Sequence, residues 1–294
     1  MYKISVVLVN YFGAIDTIEC VRSLKNTNLD LQIIIIDNSN DKSEFEMIRG
    51  NCSDITLIAC KDNYGFAKAN NIGINYAIGQ GTEYVLILNN DTIVDTNMIS
   101  ELLINCNSNE ILVPKMLFYD DPTRIWYGGG EINKMTGNIY VQHYNENDNF
   151  CDFSRYCTFA TGCCMLIPVS VIREMGYVFN ENYFMYCEDT EFCIRAIKNN
   201  VKIKYIPTAK LWHKVSSSSG GINSKLSIYY TSRNRFYYVE EHKDFFWWTA
   251  KWCAFLSRII RIGQYWIVRS DLWKSYYKAI VDYCNKKYGK QSID

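Results

Sequence analysis

The apolar run Tyr84-Val85-Leu86-Ile87-Leu88 ends directly in Asn89-Asn90-Asp91-Thr92. A buried strand that delivers amides and a carboxylate to its end offers oxygen ligands to a hard divalent cation, with a phosphate as the remaining partner. A second acidic pair, Glu188-Asp189, stands about a hundred residues further on. One carboxylate at a cation that holds a diphosphate, and another held apart and free to take a proton, is the chemistry this spacing suggests. Residues 89–92 taken alone are also common turn formers, so the elements that carry them have to decide between the readings.

Those elements are legible in the first third of the chain. Residues 4–9, 31–36 and 55–59 are β-branched, nearly continuous apolar runs, and residues 14–25, 42–49 and 65–78 carry helical patterns. Strand, helix and strand in series predict a parallel sheet covered on both faces. Ligands bind such sheets outside the carboxyl ends of the strands. Here those ends carry Asn10-Tyr11, Asp37-Asn38, Asp62-Asn63 and residues 89–91. Each alone is an ordinary loop starter; four on one edge make a joint site. No Gly-x-Gly-x-x-Gly follows the first strand and no Gly-Lys-Ser/Thr occurs, so the nucleotide is held neither by a dinucleotide-binding fingerprint nor by a P-loop.

Composition bounds the class. At 294 residues and 48% hydrophobic content the chain can bury a substantial core in one or two domains. Lys plus Arg and Asp plus Glu are equal at 31 each, so no global field draws the chain onto nucleic acid. The run at residues 4–9 is too short and too poorly flanked by positive charge for a signal peptide, which places the chain in the cytosol. The 12 cysteines then read as reduced thiols, with Cys163-Cys164 as core packing, and three histidines at no finger spacing give little support to zinc.

Five segments carry a resemblance. Val6-Val7-Leu8-Val9-Asn10-Tyr11, Ile36-Asp37-Asn38-Ser39, Asn63-Tyr64-Gly65-Phe66-Ala67-Lys68-Ala69-Asn70-Asn71, Leu88-Asn89-Asn90-Asp91-Thr92 and Tyr186-Cys187-Glu188-Asp189 resemble, in order and spacing, the glycosyltransferase family 2 enzymes over roughly residues 3–240. Tyr229-Tyr230-Thr231-Ser232-Arg233-Asn234 is similar to the bacterial rhamnosyltransferase-like members that build surface polysaccharides such as O-antigen. The resemblance implies an α/β chain with the GT-A fold, a Rossmann-like mixed central sheet flanked by helices. It assigns residues 1–240 to the catalytic domain and 241–294 to a C-terminal helical extension.

It also implies inverting transfer of a sugar from a nucleoside diphosphate donor, dTDP-rhamnose first and a UDP-hexose second, to a hydroxyl of a lipid-linked glycan. Asp91 and His213 are the expected ligands of a Mn²⁺ or Mg²⁺ ion, both of which suit oxygen ligands and phosphate. Asn89 stands where many members carry Asp and brings no charge to the metal; His213 reads equally as a loop histidine. Asp189 is the expected base, with Glu188 at the acceptor or orienting its neighbour, while acids here also suit a helix N-terminus. Val9, Asn10, Tyr11, Asp37, Asn63, Gly65, Lys68, Asn89 and Asn90 form the expected donor site, and Trp126 and Gly162 join Glu188 on the acceptor side. Trp126 to Gly130 reads first as a turn. The Ser/Gly-rich stretch 214–221 suits a lid over the diphosphate or a passive linker.

The C-terminal stretch from Phe245 to Val268 is aromatic, and at helical pitch Lys251, Arg258, Arg261 and Arg269 fall within roughly 80° of arc. Its uncharged runs fall short of the ~20 residues a membrane span needs. An interfacial helix on the inner face of the cell membrane is the expectation, and packing on the catalytic core or a second subunit the alternative. Two other classes stand beside the transferase: a nucleotidyltransferase, which needs a basic Gly-rich loop that residues 10–16 lack, and a nucleotide-sugar-binding module without turnover. The sequence does not set the oligomeric state.

Overall fold

Isoleucine, valine and leucine dominate the strands that meet at the middle of the sheet, because such strands are covered on both faces. The computed structural model describes residues 3–150, 153–215 and 224–293. Of the stretch 214–221 expected to serve as lid or linker, residues 216–221 lie outside them. The first half alternates strand and helix: β1 (Ile4–Asn10), α1 (Ala14–Lys25), β2 (Leu31–Asp37), α2 (Lys42–Asn51), β3 (Ile55–Ala59), α3 (Gly65–Gly79) and β4 (Tyr84–Leu88). These strands pair in parallel in the order β3-β2-β1-β4, with Asn10 beside Asp37 and Asp37 beside Ala59. Strands in register end at one level, so their polar ends share one edge, as the sequence predicts.

The second half makes the sheet mixed. It comprises β5 (Thr92–Val94), α4 (Met98–Ile104), β6 (Glu110–Phe118), β7 (Ile125–Tyr127), β8 (Gly130–Ile132), β9 (Ile139–Val141), β10 (Arg155–Cys157), β11 (Cys164–Pro168), α5 (Val169–Met175), α6 (Glu188–Lys198) and β12 (Lys202–His213). The sheet runs β10-β12-β6-β11-β4 into the parallel half, with β11 antiparallel to both β4 and β6. Residues 202–213 form one long strand, whose register against β6 shifts between Ile206 and Lys210. Pro207 sits in that shift, where its missing N–H is tolerated. Trp126 and Tyr127 close β7, and the following glycines make the expected turn into β8.

Three helices finish the chain: α7 (Lys225–Glu241), α8 (Thr249–Ile267) and α9 (Leu272–Cys284). The sequence predicts only the middle one as an aromatic, basic helix. In the fold α9 lies against α7, with Tyr229 Oη donating to Asp282 Oδ2 at 2.7 Å, and the residues beyond it return to the catalytic core, where Gly289 N donates to Asn182 O at 2.9 Å. Two members leave the expected basic stripe: Arg258 turns inward over the Tyr276 ring, 6.0 Å from its centroid, and Arg269 lies past the end of α8 at φ 55°, while Lys251 and Arg261 stay exposed on the helix. Among the described residues no helix is long and apolar enough to cross a membrane.

Candidate active site

A cleft of about 520 Å³ opens at the carboxyl ends of β1, β2 and β4. It brings together Val9, Tyr11, Asn63, Gly65, Asn89, Asn90, Asp91, Trp126, Gly162, Glu188, Asp189 and His213, all expected site residues. Asn10, Asp37 and Lys68 do not line it. Asn10 is buried and fully used: its amide donates to Asp37 Oδ1 and Glu44 Oε2 at 3.0 Å each, and its Oδ1 accepts from Gly13 N and Thr17 Oγ1. Asp37 Oδ1 also accepts from Ser39 N and Oγ, so this carboxylate braces the loop beneath the cleft. Lys68 lies over the Tyr64 ring and 4.0 Å from Glu181. Asn38, one residue past the expected Asp37, takes the lining position and ties two strand ends together, donating to Asn63 Oδ1 at 3.0 Å and accepting from Tyr64 N at 2.8 Å.

Asp91 and His213 meet because β5 and β12 are antiparallel neighbours with Thr92 opposite His213. Their Oδ1 and Nε2 atoms stand 3.2 Å apart, and the edge of Trp126 packs on the imidazole with ring centroids 4.3 Å apart. Trp126 thus stands beside the Asp91–His213 pair rather than beside Glu188. Burial works against the Asp91 anion, yet the His213 ring and Lys214 hold its carboxyl below the usual range. Burial also opposes a charged imidazole, but the Cys163 sulfur and the Asp91 carboxylate push His213 up to about 10. Because burial keeps Cys163 a thiol, Asp91 is the charge that matters.

The residues fit a divalent ion. The Asp91 carboxylate and the His213 imidazole, both buried and facing each other across 3.2 Å in the cleft wall, are the oxygen and nitrogen donors such an ion takes. Among the described residues no cluster of three or more His, Cys, Asp or Glu side chains could hold a metal. Two protein ligands suffice for an ion whose other partners are phosphate oxygens and water, the arrangement Mg²⁺ favours.

The second acidic pair opens α6. The helix starts at Glu188, so both acids lie in its first turn, as the helix-terminus reading allows. Asp189 Oδ2 accepts from Gly162 N at 3.1 Å, and Oδ1 from Thr190 N at 2.7 Å. Burial pushes the Asp189 carboxyl up and these donors draw it part of the way back. Glu188 Oε2 has no partner, and burial followed by the Asp189 charge drives this carboxyl well above the usual range. The backbone donors thus favour the charged form of Asp189, while burial favours the neutral form of Glu188. The loop ahead of them is strained: Tyr186 and Cys187 have φ of 63° and 68°, a region that costs about 1–2 kcal/mol per residue without glycine.

One turn joins the two sides. Asn89 N donates to Cys163 O at 2.8 Å while Gly162 N holds Asp189, so the segment 161–163 stands between the metal pair and the acid pair. Gly65 joins the turn after β3 to the loop before α6 in the same way: a Cβ there would stand 2.1 Å from Phe184 O, and Phe66 N donates to that oxygen at 2.8 Å. Only glycine fits, at φ +78°.

The family model described as "Glycosyl transferase family 2" matches residues 5–176, the span that carries the parallel half of the sheet, Asp91 and the turn to Gly162. The chain belongs to glycosyl transferase family 2. This glycosyltransferase is 28% identical over 244 residues, 79% of its length and 74% of the relative's, to the low-salt glycan biosynthesis hexosyltransferase Agl10 of Haloferax volcanii. It is 24% identical to the dTDP-rhamnosyl transferase RfbF of Shigella flexneri, over 74% of this chain and 72% of the relative. Two solved structures share its GT-A fold. One is GalNAc-T7 with UDP, GalNAc and Mn²⁺, at TM-score 0.62 and 16% identity over 82% of this chain and 48% of that one. The other is S. aureus TarS 1-349, at TM-score 0.51 and 15% identity over 81% of this chain and 65% of that one. The glycosyltransferase spans about half the length of the GalNAc-T7 chain.

Phe184, Met185, Tyr186, Leu226 and Thr231 complete the lining on the base side. The sequence does not single them out as site residues. Tyr186 and Thr231 stand inside segments that carry the resemblance; the others bear no pattern that distinguishes a cleft wall from a core.

Proposed function

We propose that this glycosyltransferase moves a sugar, with inversion, from a nucleoside diphosphate donor to a hydroxyl of a lipid-linked glycan during surface polysaccharide synthesis. The observation that carries the reading is a single cleft holding two carboxylates with opposite surroundings, Asp91 beside His213 and Asp189 on two backbone N–H groups, joined by the turn at 161–163. Asp189 takes the proton of the acceptor hydroxyl as that oxygen bonds the anomeric carbon and the bond to the diphosphate breaks. Glu188, neutral, has an O–H to donate and lies at the acceptor. Tyr11, Asn38, Asn63 and the amides of Asn89 and Asn90 face the nucleotide and sugar, with Asn10 and Asp37 holding the loop they stand on. Asp91 and His213, the latter on giving up its imidazolium proton, would hold a Mn²⁺ or Mg²⁺ ion, which would stabilise negative charge on the leaving diphosphate as a Lewis acid.

The name of the dTDP-rhamnosyl transferase RfbF supports dTDP-rhamnose as the donor, and that of the hexosyltransferase Agl10 supports a hexose donor as the alternative. A membrane-bound acceptor accounts for α8. On its outward face Trp252, Ile260 and Trp266 are 61%, 60% and 66% exposed, and Arg261 and Arg269 flank them, the composition of a helix lying in an anionic membrane surface. In this reading residues 1–240 are the catalytic unit and 241–294 the membrane-facing extension. The test is nucleotide release from a panel of UDP-, dTDP- and GDP-sugars with detergent-solubilised lipid-linked acceptor, with Mn²⁺, Mg²⁺ or chelator. We expect release from one donor that chelator abolishes; nucleotide binding without release from any donor would favour the binding module.

A further inference from the structure

We propose that Asn234 is a positioning residue for the catalytic base, holding the strained loop that aims Glu188 and Asp189. This rests on the reading of Asp189 as the base. Asn234 lies on α7, fully buried, and its Nδ2 donates both hydrogens to successive carbonyls of that loop, Met185 O at 2.9 Å and Tyr186 O at 2.8 Å. Tyr186 and its neighbour Cys187 are the left-handed pair, and the acids follow directly. A backbone in that region persists only where its surroundings over-determine it. Asn234 supplies that determination from a different element, at two consecutive peptide groups.

The amide is itself fixed. Its Oδ1 accepts from Arg233 Nε at 3.0 Å, so the two ends of the amide cannot exchange without setting donor against donor. Arg233 is fully buried, lies 4.9 Å from the Tyr230 ring centroid and 5.3 Å from that of Tyr229, and donates from Nη1 to Gly289 O at 2.9 Å. A chain of contacts therefore runs from the residues beyond α9, through Arg233 and Asn234, to the base. The segment Tyr229 to Asn234, in the sequence only a mark of resemblance, thereby gains a physical role, in which two tyrosines and an arginine orient one amide.

The experiment compares Asn234→Ala, Asn234→Asp, Asp189→Asn and the double variant Asn234→Ala/Asp189→Asn by kcat and by Kd for the donor nucleotide. Displacing the base by a fraction of an ångström lowers kcat by about 10²-fold in either Asn234 variant, with the nucleotide Kd within about twofold of wild type. Residues that act as one unit are not additive, so the double variant is no slower than Asp189→Asn alone. Wild-type turnover in both Asn234 variants, with Asp189→Asn inactive, overturns the positioning role and leaves the base in place. Additive losses in the double variant, or loss of nucleotide binding in both Asn234 variants, overturn it too, because Asn234 then serves the fold at large. Near-normal turnover of Asp189→Asn sinks the reading of the base itself, independently of Asn234.

Discussion

The donor side and the base side of the cleft are built by different means. On the donor side the lining residues lie in the turns just past the ends of parallel strands in register, and short local hydrogen bonds among those turns place them. On the base side the loop before α6 is held by partners distant in sequence: Gly65 beneath Phe184, Gly162 against Asp189, and Asn234 on Met185 and Tyr186. Regular structure suffices to gather hydrogen-bonding groups around a nucleotide. Aiming one carboxylate at one hydroxyl requires a strained backbone fixed from several elements.

This division predicts separable losses. Asp189→Asn removes the proton acceptor while leaving the donor-side strand ends untouched. Turnover falls by about 10³-fold or more, within the range general bases contribute, and nucleotide Kd stays near wild type. Asp91→Asn acts on the other side, where the charge faces the metal and diphosphate. We expect a smaller loss in turnover, about 10²-fold, accompanied by weaker nucleotide binding in the presence of Mn²⁺ and unchanged binding with chelator. Titration calorimetry with and without chelator separates the two variants. Equal nucleotide affinities in all four measurements would dissolve the distinction between the sides.

Legibility follows the same line. The strands β1 to β4 and their polar ends are readable because apolar runs and loop starters are local properties, and the expected α1 and β4 coincide with the observed helix and strand. The roles of the end residues are less readable. Asn10 and Asp37 look like ligands in sequence because they are polar and follow strands, yet they satisfy each other below the cleft and leave Asn38 to line it. Nothing local marks Tyr186 and Cys187 as left-handed or brings Trp126 onto His213, since both depend on tertiary contacts. In α9 the polar residues Lys274, Lys278 and Asp282 recur at helical spacing, and what the sequence does not mark is their pairing, with Lys278 and Lys287 both bonded to the buried Asp282.

A third region sharpens the contrast, since α8 presents large side chains that nothing in the described chain covers. Replacing Trp252 and Ile259 together by Glu removes two apolar anchors, each contributing roughly 1.5–3 kcal/mol when buried. Flotation with anionic liposomes should show at least about a tenfold loss of binding, with turnover on a water-soluble acceptor analogue unchanged. Undiminished flotation would return α8 to the packing alternative.

The smallest expected effect lies within the acid pair and tests whether adjacent carboxylates have opposite protonation. Asp189 has N–H donors on both oxygens and Glu188 has none on Oε2, which together with burial favours the proton on Glu188. In the unfolded chain Glu188 loses its proton near pH 4.3, whereas the folded chain retains it to a much higher pH. Its stabilising contribution is therefore complete below about pH 4.3 and declines as pH rises, by about 1.4 kcal/mol per unit, until the folded group ionises. Glu188→Gln keeps the shape of the neutral acid and does not titrate. The difference in Tm between Glu188→Gln and wild type should accordingly widen in favour of the variant from pH 5 to pH 8, because every other titrating group is common to both proteins. A difference that stays constant over that range would mean that Glu188 is already charged, and the base side would then hold two anions that its few donors cannot satisfy.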